Sequence, residues 1–344
     1  MGQKQVKFIT YSLFKGVTDK SQLTKARWLR YLFTMPFVYL LLIIRYLYTW
    51  HYSVLLVTYM GHIDLPIAKL LSMIRSKPLI FDSFISLYDT VVNDRKMIRP
   101  ESYTARLLFR WEQWIYSLPD LILFDTHEHK KRLSKLLDIA EHRGVIVPVG
   151  AQTTLFYPDK SIPSLADTIL FYGQCIPLHG MHIIVEAARI SQQNRQSFRW
   201  ILIGTGQQSA AIDRQITDCS LKNISRIKTV AYETLPYHIH RAGICLGIFG
   251  TSQKAFSVIP NKVYQICACN KPLITADTPA IRELLQPNRR IILVEPGNAN
   301  ALYRAVCEMS ARLKAYDTDE PILPAIGPSE VGRKCAAIVE NITL

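Results

Sequence analysis

The chain has 344 residues, of which 49% are hydrophobic and 20% are charged, with 15 glycines and 18 prolines. This composition excludes a disordered, collagen-like or coiled-coil protein, and the length predicts two domains with sizeable cores. The charge departs from the average, because 41 Lys and Arg residues against 27 Asp and Glu residues give a formal net charge of +14. Such an excess favours an anionic partner, which is a nucleic acid, an acidic lipid surface or a phosphorylated substrate.

The positive charge is concentrated at the amino-terminal end of the chain. Residues 1–110 carry 16 basic and 6 acidic side chains, so +10 of the +14 lies in this region. No nucleic-acid-binding motif accompanies the charge, and we therefore expect no nucleic-acid partner. The basic surface of the first third is more consistent with an anionic membrane.

Cysteine usage and the first residues predict the compartment. The seven cysteines are an odd number, and they include no CxxC pair. Buried thiols in a reducing compartment are therefore favoured over disulfides or a zinc site. The first residues lack the apolar core of a signal peptide, so we expect a cytoplasmic protein.

In chain order, the predicted elements of the first half alternate between strands and helices. They are a strand at 5–11, an apolar helix around 31–44, a strand at 53–59, a helix at 65–74, a strand at 78–81, a helix at 103–116, a strand at 121–124, a helix at 127–140 and a strand at 145–149. The continuous apolar, β-branched run at 53–59 is typical of a parallel strand that is covered on both faces.

The apolar stretch at 31–44 has two interpretations. Its fourteen uncharged residues are interrupted by Pro36, and a helix that spans a bilayer needs about 20 apolar residues. It is either a buried core helix or an interfacial helix that lies on anionic headgroups. In the second case its basic flank and its aromatic boundary are supplied by Lys20, Lys25, Arg27, Arg30, Trp28, Tyr31, Phe33 and Trp50.

After a polar linker near residues 158–164, the alternation begins again. The second series has strands at 167–172, 198–203, 244–249 and 272–275, and helices at 181–192, 207–218, 261–268 and 280–285. Strands separated by helices of about ten residues indicate parallel sheets. The fold class is therefore α/β, with two doubly wound Rossmann-like domains that face a central cleft. We expect these domains at 1–157 and 158–328, and a C-terminal helix at 329–344 that packs back on the first domain.

Three glycine-rich loops follow strands of the second half. They are FYGQCIPLHG, with Gly173 and Gly180, ILIGTGQQS, with Gly204 and Gly206, and GIFGTSQKAFSVIPNK, with Lys254, Asn261 and Lys262. Each can offer backbone N–H groups to a phosphate at a helix N-terminus, and the lysines can supply charge. The alternative interpretation is a set of tight turns with solvated lysines.

The order and spacing of these loops resemble the donor domain of retaining GT-B glycosyltransferases of the group 1 type, over residues 120–310. This resemblance implies the GT-B architecture, hexosyl transfer from a nucleoside-diphosphate sugar, and no metal or other cofactor. It implies a diphosphate near Gly173 and Gly180, and a base and ribose along Gly204, Gly206 and the helix that carries Lys262. Residues 317–319 (DTD) resemble a metal-binding motif of another glycosyltransferase fold, and we expect no metal there.

The sequence departs from the family at positions that contact the donor. The Arg and Lys of the first loop are replaced by Gln174 and His179, and the paired glutamates are replaced by Ser257 and Gln265. We expect Gln265 to hydrogen-bond the ribose, and we expect the diphosphate charge to be met by Lys254, Lys262 and a protonated His179. The donor-binding prediction comprises Gly173, Gln174, His179, Gly180, Gly204, Gly206, Lys254, Asn261, Lys262 and Gln265.

Polar side chains of the first half also follow strands. His62 and Asp82 are the predicted catalytic residues, because a histidine or carboxylate beside the cleft can orient an acceptor hydroxyl. Asp64, Asp89 and Arg95 are predicted to bind the acceptor. The alternatives are a buried core histidine at 62 and a solvated salt-bridge cluster at Asp89, Asp94 and Arg95.

Together, these features predict a retaining glycosyltransferase that transfers a sugar to a lipid-linked saccharide in surface polysaccharide or glycolipid synthesis. We expect it to associate peripherally with the inner face of the membrane. Two alternatives stay open. One is an inactive GT-B subunit that supports a partner transferase, and the other is a nucleotide-sugar 2-epimerase, which shares the fold.

Overall fold

The computed structural model describes residues 7–10, 25–49, 51–315 and 326–343. Residues 7–10 form no strand, which corrects part of the strand predicted at 5–11, and the remainder of that segment lies outside the described residues. A strand needs a neighbour to satisfy its backbone groups, and none of the described strands pairs with residues 7–10. The motif at 317–319 also lies outside the described residues.

The first domain is built on four parallel strands with helices between them. Its elements are α1 (Lys25–Leu47), β1 (Leu55–Val57), α2 (Leu65–Ile74), β2 (Leu79–Asp82), a π-helix (Asp89–Asp94), α3 (Tyr103–Ser117), β3 (Leu121–Phe124), α4 (His127–Leu137) and β4 (Gly144–Ile146). The strand order is β1-β2-β3-β4, so each strand pairs with the one before it. Apolar side chains of α2, α3 and α4 cover this sheet and form one core.

The second domain is built on six parallel strands. Its elements are β5 (Leu165–Tyr172), α5 (Met181–Gln193), β6 (Arg199–Ile203), α6 (Ser209–Asp218), β7 (Ile224–Ile227), α7 (Leu235–Arg241), β8 (Ala242–Leu246), α8 (Gln253–Ser257), α9 (Asn261–Ala268), β9 (Leu273–Ala276), α10 (Pro279–Leu284), β10 (Ile291–Val294) and α11 (Ala299–Ala315). The strand order is β10-β9-β8-β5-β6-β7. Separate apolar clusters cover its two faces.

This strand order creates a topological switch point between β5 and β8. From β5 the chain winds outward to β6 and β7, and it then returns to the other side of β5 as β8. The loops after β5 and β8 diverge there, and they open a crevice at the carboxyl ends of the strands. The fold therefore brings the first and third glycine-rich loops together.

The predicted fold class is confirmed, since both sheets are parallel and their strands alternate with helices. Most predicted boundaries differ from the observed ones by a few residues. The sequence analysis missed β7, β10, α7, α8, α11 and the π-helix. Strand β7 lies at an edge with only partly buried side chains, so it has no apolar run of the kind that marks the central strands.

Helix α1 is partly buried and partly exposed, which is intermediate between its two interpretations. Val38 and Tyr46 are buried, whereas Phe33 and Phe37 are 70% and 75% exposed. Arg75 of α2 donates hydrogen bonds to backbone carbonyls at the end of α1, which holds the two helices together. Lys20 and Trp50 lie outside the described residues.

Within the described ranges, the structure has no helix with the length and apolar character needed to cross a membrane.

The C-terminal helix α12 (Pro328–Thr343) follows the undescribed residues 316–325. The N–H of Ala151 donates to the carbonyl of Ile326, just before this helix. Burial, and then the charge of Asp82 at the end of β2, raise the pKa of Cys335 on α12. A Cβ atom on Gly150 would lie 3.2 Å from the Val331 side chain, so the start of α12 lies beside residues 150–151.

Hydrogen bonds across the cleft hold the two domains together. The Thr126 hydroxyl donates to the carbonyl of Ser257 at 2.5 Å, and its oxygen also caps α4 by accepting from the N–H of His129. The carboxylate of Glu283 accepts from the N–H groups of His127 and Glu128 at 2.8 and 2.9 Å. The first backbone N–H groups of α4 are therefore hydrogen-bonded partly by the preceding residue Thr126 and partly by Glu283 of the second domain.

The two glycine turns after β5 and β6 pack backbone against backbone. Gly173 and Gly204 have φ angles of +139° and +134°, in the region that favours glycine. A Cβ atom on Gly204 would lie 1.9 Å from the carbonyl oxygen of Gly173. This contact fixes the position of the first turn relative to the second.

We expect Gly204→Ala to lower the stability of the protein by at least about 3 kcal/mol, because the methyl group overlaps backbone and the φ angle is strained. Gly332→Ala is the control, since Gly332 lies in α12 with nothing within 4 Å of its added Cβ. Alanine in a helix should raise stability there by about 1 kcal/mol. Thermal and urea unfolding measure both values, and a Gly204→Ala variant as stable as the parent would contradict the packing described above.

Candidate functional site

The candidate site lies at the switch point, where the loops after β5 and β8 face the carboxyl edge of the first sheet. The loop after β5 contains Gly173 and a 3-10 turn (Pro177–His179), and it ends at Gly180, directly before α5. A Cβ atom on Gly180 would lie 2.6 Å from the backbone N of Gly250 in the loop after β8. The first and third predicted donor loops are therefore in contact.

The ammonium of Lys262 lies at this site without a hydrogen-bonding partner in the described residues. Lys262 is 5% exposed, and its Nζ lies 3.8 Å from the centre of the Phe171 ring. A Cβ atom on Gly173 would come within 2.7 Å of the same Nζ, so the ammonium lies directly beside the glycine turn. Burial holds the pKa of Lys262 well below its usual range. A negatively charged ligand would satisfy this group.

His179 lies beside Lys262, and its environment corrects the prediction that it is protonated. Its Nδ1–H donates to the carbonyl of Gln174 at 2.6 Å, and the ring is 8% exposed. Burial, followed by the charge of Lys262, holds the pKa of His179 well below its usual range. The ring is therefore neutral in the structure, and its role is to fix the turn rather than to add charge.

Gln265, predicted to bind a ribose, already has two side-chain partners. Its Oε1 accepts from the buried Tyr172 hydroxyl at 3.0 Å, and its Nε2 donates to the Tyr232 hydroxyl at 3.4 Å. The amide keeps one N–H for a ligand. Gln174 and Asn261 are exposed at the ends of their loops, and the donor-binding roles of these three residues remain predictions.

Ser257 and Lys254 are turned away from the glycine turns. The Ser257 hydroxyl donates to the carbonyl of Lys254 within α8. The Lys254 ammonium, which is 7% exposed, donates to the Thr90 hydroxyl of the first domain at 2.6 Å. Burial lowers the pKa of Lys254, although the nearby Asp89 and Asp94 raise it. The Lys254 ammonium therefore forms a contact between the two domains, near Asp89 and Asp94.

Asp89 is buried and occupied, which corrects its predicted role in acceptor binding. It is 1% exposed, and both its carboxylate oxygens accept hydrogen bonds from the Arg132 guanidinium. Burial raises the pKa of Asp89, but the hydrogen bonds and charge of Arg132 outweigh this effect and hold it below its usual range. Asp94 is also buried, and it accepts from the Ser252 hydroxyl at 3.0 Å. The cluster is therefore an interdomain contact and not a solvated surface.

Arg95 lies beside the glycine turn after β6, and its predicted acceptor-binding role remains a prediction. Its carbonyl accepts from the Gln207 side chain at 2.9 Å. Burial is the main cause of the lowered pKa values of His179 and Lys254, and the positive charge of Arg95 is a smaller cause of both. The first domain therefore adds a cation to the site that already contains Lys262.

The structure places His62 in the core, which corrects its predicted catalytic role. The ring is 2% exposed and packs against Phe81 and Tyr116. Neither ring nitrogen makes a hydrogen bond within the described residues, and Nε2 lies 3.5 Å from a carboxylate oxygen of Glu112. This environment favours the alternative interpretation of a buried core histidine. The neighbouring Asp64 is exposed and accepts from the Tyr39 hydroxyl of α1 at 2.6 Å, and its acceptor-binding role remains a prediction.

Asp82 lies at the edge that faces the cleft, and the structure adds Asp125 and His129 beside it. Asp82 pairs in register with Leu123, two residues before Asp125. The Asp125 carboxylate accepts from Nδ1 of the buried His129 at 2.5 Å. Burial, and then the charge of Asp125, raise the pKa of Asp82 to about 6. Asp125 directly follows the run LILF, so the rule that identified Asp82 at a strand end could also have identified Asp125.

Residues 166–312 match the family model described as Glycosyl transferases group 1. The match covers the second sheet and all three glycine-rich loops. None of the curated protein sequences matches the chain. The family match confirms the predicted resemblance to group 1 glycosyltransferases over this domain, and it supports the prediction of a glycosyltransferase.

Solved structures confirm the GT-B architecture over most of the chain. HepE of Anabaena in complex with UDP is 12% identical, with a TM-score of 0.60 over 83% of this chain and 79% of that one. Sucrose-phosphate synthase of Thermosynechococcus elongatus is 15% identical, with a TM-score of 0.63 over 89% and 77%. TarM of S. aureus in complex with Fondaparinux, alpha-GlcNAc-glycerol and UDP is 10% identical, with a TM-score of 0.56 over 79% and 53%. At these identities the likeness concerns the fold.

The raised pKa of Asp82 predicts a stability that depends on pH. The carboxyl of Asp82 has a pKa of about 6 in the folded state and 3.8 in the unfolded state. Its stabilising contribution to the free energy of unfolding is therefore complete below pH 3.8, and it is lost as the pH rises towards 6. We therefore expect Asp82→Asn to stabilise the protein by about 2 kcal/mol at pH 8 and to have little effect at pH 4.

Thermal unfolding at the two pH values measures this difference. Asp218→Asn, at an exposed position at the end of α6, should change neither value. Equal effects of Asp82→Asn at pH 4 and pH 8 would show that Asp82 is not held in the environment described above.

Proposed function

We propose that the chain is a retaining glycosyltransferase that moves a sugar from a nucleoside diphosphate to a hydroxyl of a lipid-linked saccharide, in surface polysaccharide or glycolipid synthesis. The observation that carries the proposal is the buried ammonium of Lys262 beside the Gly173 turn, which has no hydrogen-bonding partner among the described residues. An isolated buried charge is costly unless a ligand of opposite charge compensates it. A diphosphate would do so, and HepE and TarM, which share the fold, are both described in complex with UDP.

The donor diphosphate would be held by backbone groups as well as by charge. Helix α5 begins directly after Gly180, and its first N–H groups and positive dipole end favour an anion at that position. Lys262 and Arg95 supply positive charge from the two domains. As the bond from sugar to phosphate breaks, these groups stabilise the charge that develops on the departing diphosphate.

The acceptor hydroxyl needs a group that orients it towards the sugar. Asp82 is our proposed residue for this role, because it lies at the cleft edge with a pKa of about 6 and can accept a proton near neutral pH. Retention of the anomeric configuration is proposed from the group 1 resemblance. The configuration of the first product formed, read by NMR, tests it, and an inverted product would rule it out.

We propose that α1 and α2 hold the protein on an anionic membrane at the inner face. Large apolar side chains are exposed on both helices, including Phe33, Phe37 and Leu40 on α1 and Leu70 and Met73 on α2. An apolar surface of this kind, in a region of excess positive charge, suits the boundary between headgroups and acyl chains. A polyprenyl-linked acceptor would be met at the same surface.

The inactive-subunit alternative is favoured by one specific observation. Ser257 carries no carboxylate, and its hydroxyl is directed into its own helix, while both ends of the Gln265 amide are already occupied. Such a subunit would bind UDP but would not turn over any nucleotide sugar. A panel of UDP-, GDP- and dTDP-sugars, assayed for transfer and hydrolysis, separates the two functions.

We expect Lys262→Met to have opposite effects on stability and on binding. Removing the buried amine should raise the stability of the unliganded protein at neutral pH by about 1–3 kcal/mol, since burial disfavours the charged form of Lys262 and an apolar chain of similar length avoids that cost. The same change should weaken UDP binding about a hundredfold, because a charge-assisted contact is lost. Thermal shift with and without UDP measures both effects in one experiment.

Lys271→Met is the matched control. The Lys271 ammonium is also partly buried, but it donates to the Ser164 hydroxyl and to the carbonyl of His240, each at 3.0 Å. We therefore expect this variant to lose stability and to keep the shift caused by UDP. A full UDP shift in Lys262→Met would show that the donor site lies elsewhere.

We expect the parent protein to sediment with anionic liposomes at low salt. The triple variant Phe33→Ser, Phe37→Ser, Leu40→Ser should bind at least about tenfold more weakly, because the exposed apolar area of α1 is reduced. The control is Tyr157→Ser, Tyr237→Ser, at positions that are about half exposed and outside α1 and α2. Equal binding by the triple variant and the control would show that α1 is not the membrane-contacting element.

A further inference from the structure

A second cavity, of about 950 Å³, lies between the domains next to the donor turns. Its first-domain wall is formed by the segment 92–100 and by one side of α4, and its second-domain wall by residues 251–254. Pro177 and Gln208, which belong to the turns after β5 and β6, also line it. A cavity of this volume can hold a substrate of one or two sugar units.

The charge of this cavity is strongly positive. Lys96, Arg99 and Lys135 line it, are exposed, and form no ion pair with a described carboxylate. Two further lining cations already have partners: Arg132 is paired with Asp89, and Lys254 donates to the Thr90 hydroxyl. The one lining carboxylate, Asp94, is buried against Ser252.

The remaining lining is suited to a saccharide. Side-chain amides and hydroxyls face sugar hydroxyls well, and apolar side chains cover the carbon faces of a ring. The Oε1 atom of Gln208 is buried and has no hydrogen-bonding partner among the described residues, so it can accept from a ligand hydroxyl. The lining groups of these two kinds include Asn93, Gln208, Gln253, Val92, Ile98 and Leu136.

We propose that this cavity binds the acceptor, and that the acceptor is an anionic saccharide whose phosphate or carboxylate is held by Lys96, Arg99 and Lys135. The proposal deepens the proposed function, on which it rests, by naming the class of acceptor and the residues that select it. The negative charge has two sources, which are the diphosphate of a lipid carrier and an acidic sugar within the saccharide. Both would be recognised through charge-assisted hydrogen bonds.

Binding of three soluble probes to the full chain, in the presence of saturating UDP, tests the proposal. The probes are glucose 1-phosphate, glucuronate and glucose, measured by titration calorimetry at low salt. We expect at least one anionic probe to bind and glucose to bind at least about tenfold more weakly, with an affinity that falls as salt is added. Tighter binding of glucose 1-phosphate would indicate the carrier phosphate, and tighter binding of glucuronate would indicate an acidic sugar.

The double variant Arg99→Ala, Lys135→Ala should weaken the anionic probe about tenfold or more. Both residues are exposed, and an unchanged melting temperature would show that the fold is intact. Lys131→Ala is the matched control on α4, because Lys131 is 78% exposed, pairs with Glu128 and lies outside the cavity lining. It should leave the affinity unchanged.

Three results would overturn the proposal: glucose that binds as tightly as both anions, an anionic probe that binds only when UDP is left out, and a double variant that binds like the parent. Failure of the proposed function is detected separately, because it would appear as absence of UDP binding or as absence of turnover of the nucleotide-sugar panel. The dependence of the anionic probe on Arg99 and Lys135 can still be measured in that case.

Discussion

The buried ammonium of Lys262 is the constraint on which the rest of the site depends. The charge is placed against the face of Phe171 and beside a glycine turn, where no described side chain pairs with it. Such an arrangement lowers the stability of the empty protein, and it is retained where a ligand uses the charge. After burial, the charge of Lys262 is the next cause of the lowered pKa of His179, and the turn beside it has a φ angle of +139° at Gly173, which favours glycine.

The second organising feature is the use of charge between the domains. The π-helix and the residue after it contribute Asp89, Asp94 and Arg95, which meet Arg132, Ser252 and the donor turns. Lys254 crosses from the second domain to Thr90 in the same region. Most of the polar residues that follow the first-domain strands are therefore already paired within the protein. Asp82 and Asp125 remain at the cleft edge, and the cations of the second cavity remain for a ligand.

Much of the fold could be predicted from the sequence, because its main signals are local. A continuous apolar run such as LILF marks a buried parallel strand, and a glycine at the end of a strand marks a turn whose backbone conformation other residues disfavour. The same local signals located the donor turns and Lys262. Edge strand β7 was missed because its side chains are only partly buried. The sequence left two interpretations open for His62 and for Asp89, because their neighbours, Tyr116 and Arg132, lie 54 and 43 residues away.

The sequence by itself determined the α/β class, the order of the strands and helices, and the excess of positive charge in the first third. Periodicity, turn residues and net charge are properties of short segments, so they can be read without knowing what is packed against them. Only the tertiary structure decided which charges are free. Burial and pairing depend on residues from distant segments of the chain. The same ammonium is stable in water and costly in a buried site, so its environment alone decides the free energy of its charged form. Lys262 and Lys254 therefore differ although both lie in the same predicted loop. Lys262 has no hydrogen-bonding partner among the described residues, whereas Lys254 donates to Thr90 of the first domain.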